Sequence, residues 1–209
     1  MSILLVWQLF TEMFTNLQNY YNVVLCVHNA MNTKNRLKTV TRTIRIPSHL
    51  DDIIHKDSKE KRSTANALIS SILTKYAEWD RYTESFGFIS LPRSGLKLII
   101  ESLDDETIKQ IAGQIGSRQS KELIMYFFKE INLDTFVSAI SLFSKYAGFG
   151  SYEIESNGRD HTVVLHHELG RKWSIYVAYL TSESLKSTLE ISPRFQITEN
   201  SVIFEFFIP

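Results

Sequence analysis

The chain has 209 residues, of which 44% are hydrophobic and 22% are charged, so it has room for one or two domains and the composition of a soluble globular protein. Its 23 lysines and arginines balance 23 aspartates and glutamates, yet residues 31–46 hold five basic residues and no acidic one, which suits a segment that meets phosphates. The single cysteine, Cys26, excludes an intrachain disulfide framework and a cysteine-ligated metal site, and it favours a cytoplasmic protein.

The N-terminal extension, residues 1–35, has two interpretations. Its apolar runs, residues 3–10 and 23–27, are shorter than the roughly 20 residues of a membrane span, and no basic stretch precedes the first run as in a signal peptide. Met31 directly precedes a basic stretch, so either it is the native start or the extension forms a short amphipathic helix that packs on the rest. Neither interpretation places the chain in a membrane.

Residues 36–82 have the pattern of one strand followed by two helices. Thr41, Thr43 and Arg45 alternate with apolar residues, which is the period of a half-buried strand. Pro47 and the serine after it suit the first turn of a helix. We therefore expect a strand up to this proline and a helix beyond it.

The second helix of this segment is expected to begin at Ser63 or Thr64, either of which can cap it, and residues 77–85 are expected to hold its tail and a linker. About 40 residues are too few to bury a core, and a lone strand has two open edges. The economical arrangement is a dimer in which two strands pair as an antiparallel ribbon above four helices. Such a ribbon fits the major groove of DNA.

The stretch 39–80 resembles the ribbon-helix-helix DNA-binding domains, the class of the Arc, MetJ and CopG repressors. The resemblance rests on the strand TRTIRIP, the helix SHLDDIIHK, a polar turn and the helix TANALISSILTKY. It implies a homodimer that reads double-stranded DNA with alternate strand residues and sets the start of its second helix against a phosphate. The base-contacting residues would be Thr41, Thr43 and Arg45. With the basic arm included, the phosphate-contacting residues would be Lys34, Arg36, Lys38, Arg42, Ser63 and Thr64.

Residues 86–209 predict helices followed by an antiparallel sheet, so the whole chain is expected to have an α+β fold. Gly116 is the predicted end of one helix and Asn132 the predicted cap of another. Asn157 and Gly158 form a strong hairpin signal between two strands, and Pro193 ends a long helix before a second hairpin. We expect an apolar cavity between the helices and the sheet.

This β-β-α-β-β ending, which follows a Gly-x-Gly, resembles the sensor domains of the 4-vinyl-reductase-like group. The matching stretches are YAGFGSYEIES, HTVVLHHELGRKWSIYVAYLTSESLKSTL and SVIFEF. The resemblance is one of element order. It implies a pocket for a small-molecule effector.

One cluster has residue types that bind metals: His161, His166, His167 and Glu168. Neighbours on a strand point to opposite faces, so His166 and His167 could share one ion only with an irregular backbone, whereas His161 and His167, six residues apart, would share a face. Ordinary surface histidines are the favoured interpretation, and no metal is expected. No nucleophile elbow, phosphate loop or paired-carboxylate motif occurs, so we predict neither an enzyme nor a cofactor.

The sequence thus predicts a sequence-specific DNA-binding transcription regulator that acts as a dimer. Residues 86–209 would sense a ligand or build a higher oligomer. The alternative is an antitoxin-like protein that binds DNA and a protein partner.

Overall fold

The computed structural model of the chain describes residues 39–208, which are mostly helical and end in a four-stranded antiparallel sheet. Residues 47–208 form one compact unit, while residues 39–46 belong to a second unit and have no regular structure. The α-helices of residues 47–208 are α1 (Ser48–Glu60), α2 (Ala65–Lys75), α3 (Arg81–Phe86), α4 (Arg93–Ser102), α5 (Asp105–Phe128), α6 (Leu133–Tyr146) and α7 (Arg171–Leu189). The strands are β1 (Ser151–Asn157), β2 (Asp160–His166), β3 (Arg194–Ile197) and β4 (Ser201–Phe207).

The first two helices begin where the sequence predicts them. The backbone N–H groups of Leu50 and Asp51 donate to the Pro47 carbonyl at the start of α1. The Thr64 side chain accepts a hydrogen bond of 3.1 Å from the Ala67 N–H, which satisfies a donor that the helix leaves free. The predicted starts of α1 and α2 are therefore confirmed.

The chain remains helical through Phe86, although only the tail of the second helix and then a linker were expected over residues 77–85. It continues through a π-helical turn, Tyr76–Asp80, and then through α3. Trp79 in this turn is buried, and its ring packs edge-on against Phe88 and Phe143 at centroid distances of 5.7 and 5.1 Å. Gly87 ends the helix with a φ of 82°, a conformation that glycine adopts without a steric penalty.

The expected fold class, an N-terminal ribbon-helix-helix module followed by a separate helical and antiparallel-sheet domain, is wrong. Residues 39–47 contain no strand. A strand needs a hydrogen-bonded neighbour, which alternation of side chains cannot supply. The helices expected in that module, α1 and α2, belong to the same compact unit as the sheet. The N-terminal extension, residues 1–35, lies outside the described residues.

Small residues set the contact between α5 and α7. α5 runs unbroken for 24 residues through Gly116, so the prediction that this glycine ends a helix is wrong. A Cβ atom at Gly116 would lie 2.4 Å from the carbonyl oxygen of Leu180 in α7. Ser120 and Ser184 share a 2.6 Å hydrogen bond between the same two helices. Glycine is therefore required here because the two backbones approach closely.

The sheet has the strand order β1-β2-β4-β3, and every neighbouring pair is antiparallel. The predicted turn after Asn157 joins β1 to β2, with Gly158 in the left-handed region at a φ of 65°. α7 connects the two hairpins and packs on β3 and β4. Val202 and Phe204 of β4 are almost fully buried in this core.

The helices of residues 39–208 include the 24-residue α5, but none of them has an apolar stretch long enough to cross a bilayer.

Candidate functional site

A cavity of about 860 Å³ lies within residues 47–208, between the helices and the sheet. Its walls come from the end of α3 and the loop after it, from α5, α6 and α7, and from β2. An apolar cavity was expected between these layers, and its volume falls in the range that holds a drug-sized molecule. Its apolar lining includes Phe86, Phe88, Phe136, Ile140, Phe143 and Leu180.

α6 forms one wall through residues spaced about one helical turn apart. The Asn132 side chain accepts a hydrogen bond of 2.9 Å from the Thr135 N–H, and the Thr135 hydroxyl accepts one of 3.0 Å from the Asn132 N–H. This reciprocal capping box fixes where the helix starts. Phe136, Ile140 and Phe143 then recur at intervals of four and three residues, which places them on one face toward the cavity.

The π-helical turn contacts two cavity walls. Phe88, which lines the cavity, packs against the ring of Trp79. Glu78 accepts hydrogen bonds from the Lys145 ammonium at 2.9 Å and from the Tyr146 hydroxyl at 2.7 Å, both at the end of α6. Burial acts to raise the pKa of Glu78, but these hydrogen bonds and the lysine charge hold it below its usual range. The turn is therefore tied to α6 by an ion pair as well as by aromatic contacts.

His167 is a buried polar residue of the wall. Its Nδ1 accepts a hydrogen bond of 3.2 Å from the Leu169 N–H, and its Nε2 lies 2.8 Å from the Ser174 hydroxyl. Because Nδ1 accepts, the ring is assigned as the neutral tautomer that donates from Nε2. Burial, with a further contribution from His166, lowers the pKa of His167. Both ring nitrogens are hydrogen-bonded within the protein, so this histidine has a structural role.

Tyr176 differs from His167 because its polar group has no partner among the described residues. Burial raises the pKa of Tyr176, so its hydroxyl is protonated at neutral pH. Its ring stacks on Trp173 at a centroid distance of 4.8 Å, which holds the side chain in the wall. The Tyr176 hydroxyl is therefore available to donate to, or accept from, a bound molecule.

The cavity wall carries almost no charge. Within residues 39–208, no lysine, arginine or aspartate lines it. Glu122 on α5 is the one carboxylate of this lining, and it is exposed to solvent. The wall is therefore apolar, with a few uncharged polar groups.

The residues expected to contact DNA lie in three places. Thr41, Arg42, Thr43 and Arg45 are exposed in the segment 39–46. The start of α2 presents two further exposed residues, Ser63 and Thr64. Outside the described residues lie Lys34, Arg36 and Lys38.

The two low-probability metal ligands are separated along β2. Six residues of extended chain span about 20 Å, so one ion could not contact both His161 and His167 of one chain. His161 hydrogen-bonds the Ser156 hydroxyl at 2.9 Å and stacks on Phe206. Across residues 39–208, no three histidine, cysteine, aspartate or glutamate side chains are grouped to hold a metal ion.

Sequence reasoning missed two residues of this site. Trp79 continues the spacing of Ile72 and Tyr76, at intervals of four and three residues, so the pattern itself contained a signal that the second helix extends past residue 76. For Tyr176, no sequence pattern separates a tyrosine of a packed core from one that lines a cavity.

Comparison of the chain with protein-family models, with curated proteins and with solved structures gave no match. The resemblances to ribbon-helix-helix domains and to 4-vinyl-reductase-like sensors therefore stay predictions from the sequence.

Proposed function

We propose that the protein is a cytoplasmic transcription regulator that binds double-stranded DNA as a dimer and responds to a small molecule held in the cavity. The observation that carries this proposal is the cavity itself. Its volume, its apolar walls and the free Tyr176 hydroxyl suit a ligand better than they suit a catalytic reaction.

The charge distribution supports the DNA-binding half of the proposal. Residues 31–46 hold five basic residues and no acidic one, and Thr41, Thr43 and Arg45 are exposed. An arginine can contact guanine through two hydrogen bonds, and hydroxyl groups can reach base edges or phosphates. The remaining basic residues of the segment would neutralise phosphates.

Exposed apolar side chains on α1 and α2 support a dimer. The exposed fraction is between 42% and 61% for Leu50 and Ile53 of α1, for Ile72 and Leu73 of α2, and for Tyr76 directly after α2. So many exposed apolar side chains on two successive helices mark an interaction surface. A second copy of the chain would cover these residues with the same residues of its own, and it would double the basic segment.

The π-helical turn offers a route from the cavity to α2. Trp79 contacts Phe88 and Phe143, and both of these rings line the cavity. A ligand that binds better to one arrangement of these rings than to another shifts the chain toward that arrangement. Because Trp79 lies in the π-helical turn that directly follows α2, such a shift would reposition the end of that helix.

Selection of binding sites from random DNA by the full chain tests the proposal. For the selected site, Arg45→Ala should cost about 1–3 kcal/mol per half-site and relax the base preference. Its thermal unfolding midpoint should not change, because Arg45 is exposed. The matched variant Lys38→Ala should weaken binding to all DNA sequences alike and reduce the salt dependence of the affinity. Failure to select any sequence, or an Arg45→Ala variant with wild-type affinity and discrimination, would overturn the DNA-reading proposal.

The exposed apolar residues of α1 and α2 also favour a second candidate, an antitoxin-like protein in which a different protein covers them. Sedimentation of the full chain at micromolar concentration separates the two. A dimer supports the regulator, whereas a folded monomer removes the dimer from the proposal and favours a heterologous partner.

A further inference from the structure

We infer that the cavity takes a neutral lipophile, an uncharged and mainly hydrocarbon molecule with a hydroxyl or carbonyl oxygen, such as a long-chain alcohol. The use of this ligand as an effector rests on the proposed function. Its binding depends on the cavity wall alone.

The charge of the wall excludes an ionic head group inside the cavity. An ionised carboxylate that leaves water needs a cation or several hydrogen-bond donors. The described lining contains no lysine or arginine, and His167 is held neutral by its hydrogen bonds to Leu169 and Ser174. The exposed Glu122 adds a negative charge where the lining meets solvent, which opposes anions further.

The hydrogen bonding of the wall indicates few polar atoms on the ligand. His167 and Ser184, the buried polar side chains of the lining, already have partners within the protein. Among the described residues the Tyr176 hydroxyl has none, and the half-buried Ser144 and Thr181 are the other uncharged hydroxyl groups that could pair with a ligand. One ligand oxygen would satisfy Tyr176, whereas a ligand with many polar groups would leave most of them unpaired against aliphatic and aromatic carbon.

The size of the cavity indicates a long hydrocarbon part. At about 860 Å³, it lies in the upper part of the range for small-molecule sites. Burial of each further methylene should tighten binding about fourfold until the chain fills the space. A neutral ligand should therefore show a steep dependence on chain length.

Displacement of the neutral fluorescent probe N-phenyl-1-naphthylamine from the full chain, without DNA, tests this inference. 1-Decanol should displace the probe at about a 16-fold lower concentration than 1-octanol, since two more methylenes are buried. It should also act at a concentration at least tenfold lower than decanoate or decylamine, which have the same chain length. The inference is overturned if the probe does not bind, if no alcohol displaces it, or if either charged compound matches 1-decanol.

Two tyrosine variants test the hydrogen bond. Tyr176→Phe should weaken the binding of 1-octanol about tenfold and leave the binding of n-octane unchanged, because only the alcohol has an oxygen that can pair with the tyrosine hydroxyl. Tyr179→Phe is the matched control on α7, since Tyr179 packs on Phe195 at 5.6 Å and does not line the cavity. Equal weakening of both ligands by Tyr176→Phe, or an effect of Tyr179→Phe as large as that of Tyr176→Phe, would remove the assigned contact.

Failure of the inference can be told apart from failure of the proposed function. Alcohols that bind in the expected order but do not change the affinity for selected DNA would support the inference and count against the regulator. A DNA response to charged compounds alone would support the regulator and overturn the inference.

Discussion

The α1–α2 pair and the α5–α7 pair use their apolar residues in opposite ways. In α1 and α2 the buried residues are only Ser58 and Leu68. α5 and α7 instead bury many side chains against each other and the sheet, among them Ile108, Ala112, Ile124, Trp173, Val177 and Leu185. The two helix pairs of one compact unit therefore differ in packing: α5 and α7 supply buried core, while α1 and α2 leave most of their apolar side chains exposed.

The largest expected effect is on the free energy of unfolding when one leucine of each helix pair is replaced by alanine. Leu185→Ala should lower the free energy of unfolding by about 2–5 kcal/mol, because Leu185 is 1% exposed and its removal leaves a cavity. Leu73→Ala, at a position that is 61% exposed, should change it by less than about 0.5 kcal/mol in dilute protein. Urea unfolding measures both.

The concentration dependence of the Leu73→Ala result sharpens the comparison. If α1 and α2 are covered by a second copy, the cost of this variant should grow as the protein concentration rises into the dimeric range. Equal costs for Leu185→Ala and Leu73→Ala in the dilute monomer would contradict the division between the two pairs.

The next largest effect concerns the close contact of α5 with α7. Gly116→Ala should lower the free energy of unfolding by about 1–3 kcal/mol or more, since its Cβ would meet the Leu180 carbonyl oxygen. Gly113→Ala is the matched control one turn earlier, where the added Cβ would lie 3.8 Å from a Glu183 side-chain carbon. That variant should raise stability by up to about 1 kcal/mol, as alanine does within a helix. Denaturant midpoints that move in the same direction for both variants would contradict the close backbone contact described for Gly116.

The smallest expected effect is a pH dependence of the free energy of unfolding that arises from a buried histidine of the packed region. His167 has a lowered pKa in the folded chain, so below its ordinary value of 6.5 the unfolded chain takes up a proton that the folded chain excludes. The free energy of unfolding should therefore fall as the pH decreases below about 6.5, by at most about 1.4 kcal/mol per pH unit.

Thermal or urea unfolding between pH 7.5 and 5 measures this slope. His167→Gln should flatten it, whereas His49→Gln, on the exposed surface of α1, should retain it because His167 is intact. An unchanged slope in His167→Gln would assign the pH dependence to other groups.

Local features were predictable from the sequence because their causes lie within a few residues. Thr64 caps α2 and Asn132 caps α6 through bonds to N–H groups three residues away. The turn at Asn157 and Gly158 depends on the freedom of glycine to adopt a positive φ. Each of these causes can be identified without knowing which element packs nearby.

The features that sequence reasoning missed depend on distant partners. Gly116 has the residue type of a helix end, but its role is set by Leu180 of another helix. The alternation from Thr41 to Arg45 suits a strand, yet residues 39–47 form none. In the same way, Phe136 and Phe143 were predictable as an inward face of α6, but the space that they border depends on α5, α7 and β2 together.

The edges of the sheet have a consequence for how this protein avoids aggregation. β1 and β3 are the outer strands, and unpaired edges can recruit strands from other molecules. β1 exposes Glu153 and Glu155, and β3 is only four residues long with Arg194 exposed at its start. Strand addition between two β1 edges would bring like charges together. We therefore expect the protein to resist fibre growth through its sheet even though α1 and α2 leave apolar side chains exposed.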